Sequence, residues 1–133
     1  MKVFKDLLRI FYPKICVVCE QNLLEAEYML CTKCRHDLPL TEISNTSDNK
    51  VMHAFYGKIA IESAYAFLWF RKNGPVQKII HSLKYESNEA IGVFFGEWIG
   101  QLLVENKFFK DIDCVVPVPL HKKRKRKRGY NQV

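Results

Sequence analysis

The sequence predicts an α/β domain preceded by a small cysteine knuckle. Three observations carry that reading: two Cys-x-x-C pairs near the N-terminus, hydrophobic periods in the order strand, helix, helix, strand, and a composition ordinary for a globular chain. Apolar residues make up 48% and aromatic residues 13%, which excludes global disorder. A length of 133 residues leaves room for about one ordinary domain or two very small ones. The periods divide the chain into an N-terminal helix and knuckle over 1–40, a linker over 41–56, and an α/β unit over 57–133.

Taking the elements in order, Phe4, Leu7, Leu8 and Phe11 follow the i, i+3, i+4, i+7 spacing of one helix face, and Pro13 ends that helix. Cys16-Val-Val-Cys19 and Cys31-Thr-Lys-Cys34 follow, with 11 residues between the pairs. Each Cys-x-x-C turn aims two sulfurs at one point. Two such turns complete the tetrahedral sulfur shell that zinc takes. The expectation is a structural zinc (Zn) site made by Cys16, Cys19, Cys31 and Cys34, closed by four thiolates with no open position for catalysis. Paired disulfides are the competing reading. They are disfavoured because Lys5, Asp6 and Arg9 interrupt any secretory apolar segment. A redox dithiol would not be duplicated. Residues 14–40 hold little apolar core of their own, so metal would supply most of their folding free energy. His36 is expected at the surface, and Cys114 as a small buried apolar residue.

The polar run Thr41–Lys50 reads as a loop. Over 59–70 the residues alternate, with Ile59, Ile61, Tyr65, Phe67 and Trp69 on one face and Ala60, Ala64, Ala66, Leu68 and Phe70 on the other. That pattern predicts a strand covered on both sides. Gly74 turns the chain, and Pro75 suits the first position of a helix over 75–85, whose face is Val76, Ile79, Ile80 and Leu83. A second helix is predicted over about 88–106. Ile91, Phe94, Phe95, Trp98, Ile99, Leu102 and Leu103 trace its apolar face, and Gly92, Gly96 and Gly100 recur beside it as though another backbone approached. A second strand is predicted over 113–118.

Of the 21 Lys and Arg, seven stand consecutively as Lys122–Arg128, and the other 14 balance the 14 Asp and Glu. The formal charge of +7 is therefore one focused patch on a neutral body, a pattern that recruits phosphates or other polyanions. No apolar run approaches the ~20 residues of a membrane span, and a cytoplasmic location is the default expectation.

That cationic patch follows Val115-Val116-Pro117-Val118-Pro119-Leu120-His121 and precedes Gly129-Tyr130-Asn131-Gln132. Two prolines two residues apart stop a sheet ladder on one side, so the chain turns outward at a strand end, where open α/β sheets bind ligands. A Lys- and Arg-rich turn leading into a helix suits phosphate or pyrophosphate there.

This segment, with the four cysteines and Leu83-Lys84-Tyr85, resembles the ComF family of competence-associated, phosphoribosyltransferase-like proteins. The resemblance implies an incomplete type I phosphoribosyltransferase-like (Rossmann-like) domain behind the knuckle. It implies 5-phosphoribosyl 1-diphosphate (PRPP) as substrate, its pyrophosphate leaving with Mg²⁺ assistance in a complete domain. Leu120, His121 and Lys122 would lie at the pyrophosphate loop, with Arg124 and Arg128 as charge partners and Arg128-Gly129-Tyr130-Asn131-Gln132 opening a helix. Family members continue to an acidic pair and a Thr/Gly-rich loop that hold the ribose 5-phosphate. Neither occurs here, so the chain is expected to be a truncated or partial form without PRPP turnover of its own, the alternative being that another chain supplies the missing half. The family's link to natural competence implies single-stranded DNA as a second ligand class, with a competence helicase or the uptake machinery as partners. Lys122, Lys123, Arg124, Lys125, Arg126, Lys127 and Arg128 would contact DNA phosphates with little sequence readout. A zinc-containing DNA-binding accessory protein without catalytic activity is the alternative function.

Overall fold

In the computed structural model of the chain, residues 11–41, 50–86, 88–107 and 112–133 are described. The N-terminal face of Phe4, Leu7 and Leu8 and most of the predicted loop, 42–49, lie outside them. Among the described residues five helices follow in order: α1 (Thr32–His36), α2 (Lys50–His53), α3 (Pro75–Tyr85), α4 (Glu89–Glu105) and α5 (Lys122–Arg128).

The two long helices form where their apolar periods place them. Pro75 opens α3 with a fixed φ and no N–H to leave unsatisfied, and the Glu86 N–H closes it on Ser82 O at 3.1 Å. Glu89 stands in the first turn of α4, where a carboxylate complements the helix dipole. The Asn106 side chain ends that helix by donating to Leu102 O at 2.8 Å. The two helices pack on each other.

Their buried faces do not close on themselves. Ile79 of α3 and Ile91 and Phe95 of α4 share one apolar cluster with Cys16, Leu30 and Leu38 from the cysteine segment. Aromatic rings thicken this contact. Phe67 meets Phe95 and Trp98 edge-on at 6.2 and 5.3 Å. Tyr28 meets Phe94 edge-on at 6.1 Å, and the Arg35 guanidinium lies 4.8 Å over the Trp98 ring. The knuckle thus supplies half of the buried cluster that the two helices need.

The expected α/β sheet is not seen among the described residues, where β pairing is limited to three isolated antiparallel bridges. The predicted strand over 59–70 makes one of them. Trp69 N–H donates to Pro39 O at 2.8 Å and Thr41 N–H to Phe67 O at 3.0 Å. Pro39–Thr41 is a partner too short to satisfy a strand of that length, and alternation cannot substitute for a neighbour. Residues 113–118 are not a strand either. Val115, Val116 and Val118 are 76, 80 and 69% exposed, and Pro117 and Pro119 have no N–H to offer a ladder. Cys114, expected to be buried, is exposed with them. Among the glycines of α4, Gly92 alone is crowded: a Cβ there would meet Leu83 Cδ1 at 3.2 Å, whereas at Gly96 and Gly100 it would meet nothing within 4 Å. The backbone approach expected along all three is therefore not seen: the neighbour at Gly92 is a leucine side chain, and the other two face open space. Among the described residues, no helix is long and apolar enough to cross a membrane.

Candidate metal centre

The cysteine segment is folded by its own backbone before any side chain is considered. Ile15 and Asn22 form an antiparallel bridge, and Cys16 N–H donates to Gln21 O at 2.8 Å. Glu20 N–H returns to Cys16 O at 2.8 Å, which closes the first Cys-x-x-C turn. Glu20 (φ 62°) and Met29 (φ 61°) take left-handed backbone, unusual for residues with a Cβ, and both sit where the chain must reverse beside a cysteine. Val17 N–H donates to Met29 O at 3.0 Å and ties the two halves together. The second pair straddles the start of α1, with Cys31 as its N-cap.

These turns bring the sulfurs of Cys16, Cys19, Cys31 and Cys34 within 4.8 Å of one another. The Cys19 and Cys31 sulfurs are 3.7 Å apart. A tetrahedron with metal–sulfur bonds of about 2.3 Å has edges of about 3.8 Å, whereas a disulfide would need about 2.05 Å. The donor set and its size fit a tetrahedral metal ion, and all four cysteines are free. Backbone N–H groups point at the sulfurs as well: Cys31 N–H lies 3.4 Å from Cys16 Sγ, and Cys34 N–H 3.4 Å from Cys31 Sγ.

The electrostatics of the cluster are suited to a cation. Burial by itself raises the Cys16 thiol, but N–H groups of Cys19, Cys31 and Val18 outweigh it and bring the group down to about 6. Cys34 goes far the other way, pushed up by burial and then by its sulfur neighbours and the charge of Cys16. Four negative thiolates this close repel one another, and a bound metal ion removes that penalty.

Two residues that the spacing alone did not reveal brace the centre. Glu27 accepts from Leu24 N–H at 2.8 Å, Thr32 N–H at 2.6 Å and Thr32 Oγ1 at 2.8 Å, clamping the loop between the pairs to the residue beside Cys31. Those donors hold its carboxyl below the ordinary 4.5. Lys78 reaches from α3 to donate to Val18 O at 2.8 Å, with Glu20 3.8 Å away. Their partners are backbone groups or residues far along the chain, which no motif announces. His36 is exposed beside Asp37 and is not among the four clustered candidate ligands.

A cleft of about 620 Å³ separates the knuckle from α3 and is lined in part by Cys16, Glu20, Lys78, His81, Ser82 and Glu86. Ser82 Oγ donates to Glu86 Oε2 at 2.6 Å, and His81 Nδ1 lies 3.6 Å from Glu86 Oε1. The carboxylate sits between the hydroxyl and the imidazole, so His81 is not placed to activate Ser82 as a nucleophile.

The cationic residues are placed differently from the expectation. Lys122, Lys123, Arg124, Lys125, Arg126, Lys127 and Arg128 form helix α5 rather than a loop. His121 caps its start, its Nδ1 accepting from Lys123 N–H at 3.3 Å. Gly129 (φ 83°) closes it with an N–H to Lys125 O at 2.9 Å, so Arg128-Gly129-Tyr130 ends a helix instead of opening one. Leu120 is half-buried, while Lys122–Lys127 are exposed. Among the described residues none of the seven takes part in an ion pair. Arg128 is the exception to the exposure. It donates to Gln132 Oε1 at 2.6 Å and lies 6.0 Å from the Tyr85 ring centre. Next to it, Tyr130 Oη donates to Leu83 O. Leu83-Lys84-Tyr85 and Arg128-Gly129-Tyr130 thus meet in space. The chain matches no family model, no characterised protein and no solved structure.

Proposed function

We propose that Cys16, Cys19, Cys31 and Cys34 hold a structural zinc ion, and that the fold built around it presents α5 to phosphate-bearing ligands. The gathering of four sulfurs within 4.8 Å carries this reading. Zinc with four thiolates has no position left for substrate, so its role is to hold the two turns together. The seven cations supply the other half. They lie outside the described ion pairs, and a phosphodiester chain answers their charge without base-specific contacts. Single-stranded DNA is the ligand this favours, as in the DNA-binding accessory role. The expected result is about one zinc per chain by native mass spectrometry in protein purified without chelator, and DNA binding that weakens steeply as salt rises. Metal-free protein, or binding indifferent to salt, overturns the corresponding half.

A second reading, a phosphoribosyltransferase-like protein of the ComF kind, is favoured by one observation. Two of the elements that carry the resemblance, Leu83-Lys84-Tyr85 and Arg128-Gly129-Tyr130, are 47 positions apart at their Leu83–Tyr130 contact and yet touch. On this reading Leu120, His121, Lys122, Arg124 and Arg128 serve a pyrophosphate group. Residues 1–133 contain no acidic pair followed by a Thr/Gly-rich loop, so phosphate binding rather than PRPP turnover is the activity proposed for them.

A further inference from the structure

Helix α3 is touched by the cysteine knuckle on one part of its length and by the cationic segment on another. At its middle, Ile79 is buried in the cluster that includes Cys16, Leu30 and Leu38, and Lys78 is bonded to Val18 O. At its last turn, Leu83 O accepts from Tyr130, and the Tyr85 ring lies under Arg128. Neither helix stands easily alone. An isolated helix shorter than ~12–15 residues is marginal in water. With 11 residues, α3 falls below that, and α5 has only seven, all of one charge sign, so that its i, i+4 neighbours repel. The knuckle in turn has little core of its own apart from what α3 and α4 cover, and small metallo-domains often lose their fold when stripped.

From this chain of contacts we infer that the metal centre regulates the cationic helix: occupancy of the four cysteines strengthens polyanion binding by α5, with α3 as the strut between them. This rests on the reading that α5 binds phosphate polyanions and adds that its affinity depends on a site made of other residues. The coupling would run through physical contacts: metal would favour the folded knuckle, and the folded knuckle covers Ile79 of α3. Reciprocity follows: whatever factor metal adds to polyanion affinity, polyanion adds to metal affinity.

The test uses the full chain under reducing conditions, zinc-loaded and zinc-stripped, titrated against a fluorescently labelled single-stranded DNA at one fixed salt concentration. Stripping is expected to weaken binding about tenfold, within the range usual for such couplings. Zinc should be retained about tenfold more tightly when DNA is saturating. Tyr130→Phe removes the hydroxyl that joins α5 to α3 and leaves every cysteine and cation in place. It is expected to keep its zinc and its circular dichroism but to bind DNA, when loaded, close to the level of the stripped wild type. Equal affinity of the loaded and stripped wild type overturns the inference, as does an undiminished difference in Tyr130→Phe. Absence of salt-sensitive binding by the loaded wild type overturns the underlying reading instead, and the two failures are thereby told apart.

Discussion

At the residue scale, Glu27 shows how much of the centre depends on side chains that bind no metal. Its carboxylate collects three donors and fixes Thr32, the residue after the third ligand. Glu27→Gln removes the charge that makes those hydrogen bonds strong. Loss of an outer-shell support of this type typically costs 10–100-fold in metal affinity, and we expect about tenfold, read by competition with a chromogenic chelator. The sign of the pH dependence follows from the depressed carboxyl. Its stabilisation is fully present above the ordinary value of 4.5 and is lost as pH falls through the lower folded value. The melting difference between zinc-loaded wild type and Glu27→Gln should therefore shrink on acidification. A difference that grows as pH falls contradicts this role. The clustering of the four cysteines was legible from spacing, because Cys-x-x-C is a local geometry. Glu27, Lys78 and Tyr130 were not, because each bonds backbone atoms whose position only the folded turn determines.

At the element scale, α3 and α4 could be read from the sequence almost to the residue, since a 3.6-residue apolar period is a property of the helix alone. Strands are different. Residues 59–70 alternate well, yet an alternating segment becomes a strand only when a neighbour accepts its hydrogen bonds, and Pro39–Thr41 is all that lies alongside among the described residues. The helix over Lys122–Arg128 was missed for a related reason. Like-charged runs have no apolar period, and what ends this one is the left-handed Gly129. The glycines of α4 give a direct test of the packing. Gly96→Ala and Gly100→Ala meet open space and should each stabilise the chain by up to about 1 kcal/mol in chemical denaturation, the usual helical advantage of alanine. Gly92→Ala should gain less, because its new methyl presses on Leu83. Equal gains at all three positions would contradict the described contact between α3 and α4.

At the scale of the whole molecule, the cysteine segment is part of the core rather than an appendage. Cys16, Leu30 and Leu38 cover Ile79, Ile91 and Phe95, so on the proposed reading a metal held by the knuckle would also protect the helical pair. Charge follows the same division of labour: a balanced body carries the seven-cation helix α5, fastened at one end by Tyr130 and Arg128. The four-cysteine site was legible in the sequence, but its place in the core was not, because the apolar residues that meet there are scattered from position 16 to position 95. One measurement tests this most directly: far-ultraviolet circular dichroism of the reduced chain during zinc removal and re-addition. The account predicts a reversible loss of helix well beyond the five residues of α1, because α3 and α4 lose their cover along with the knuckle. A helical signal that stays constant while zinc leaves would contradict it.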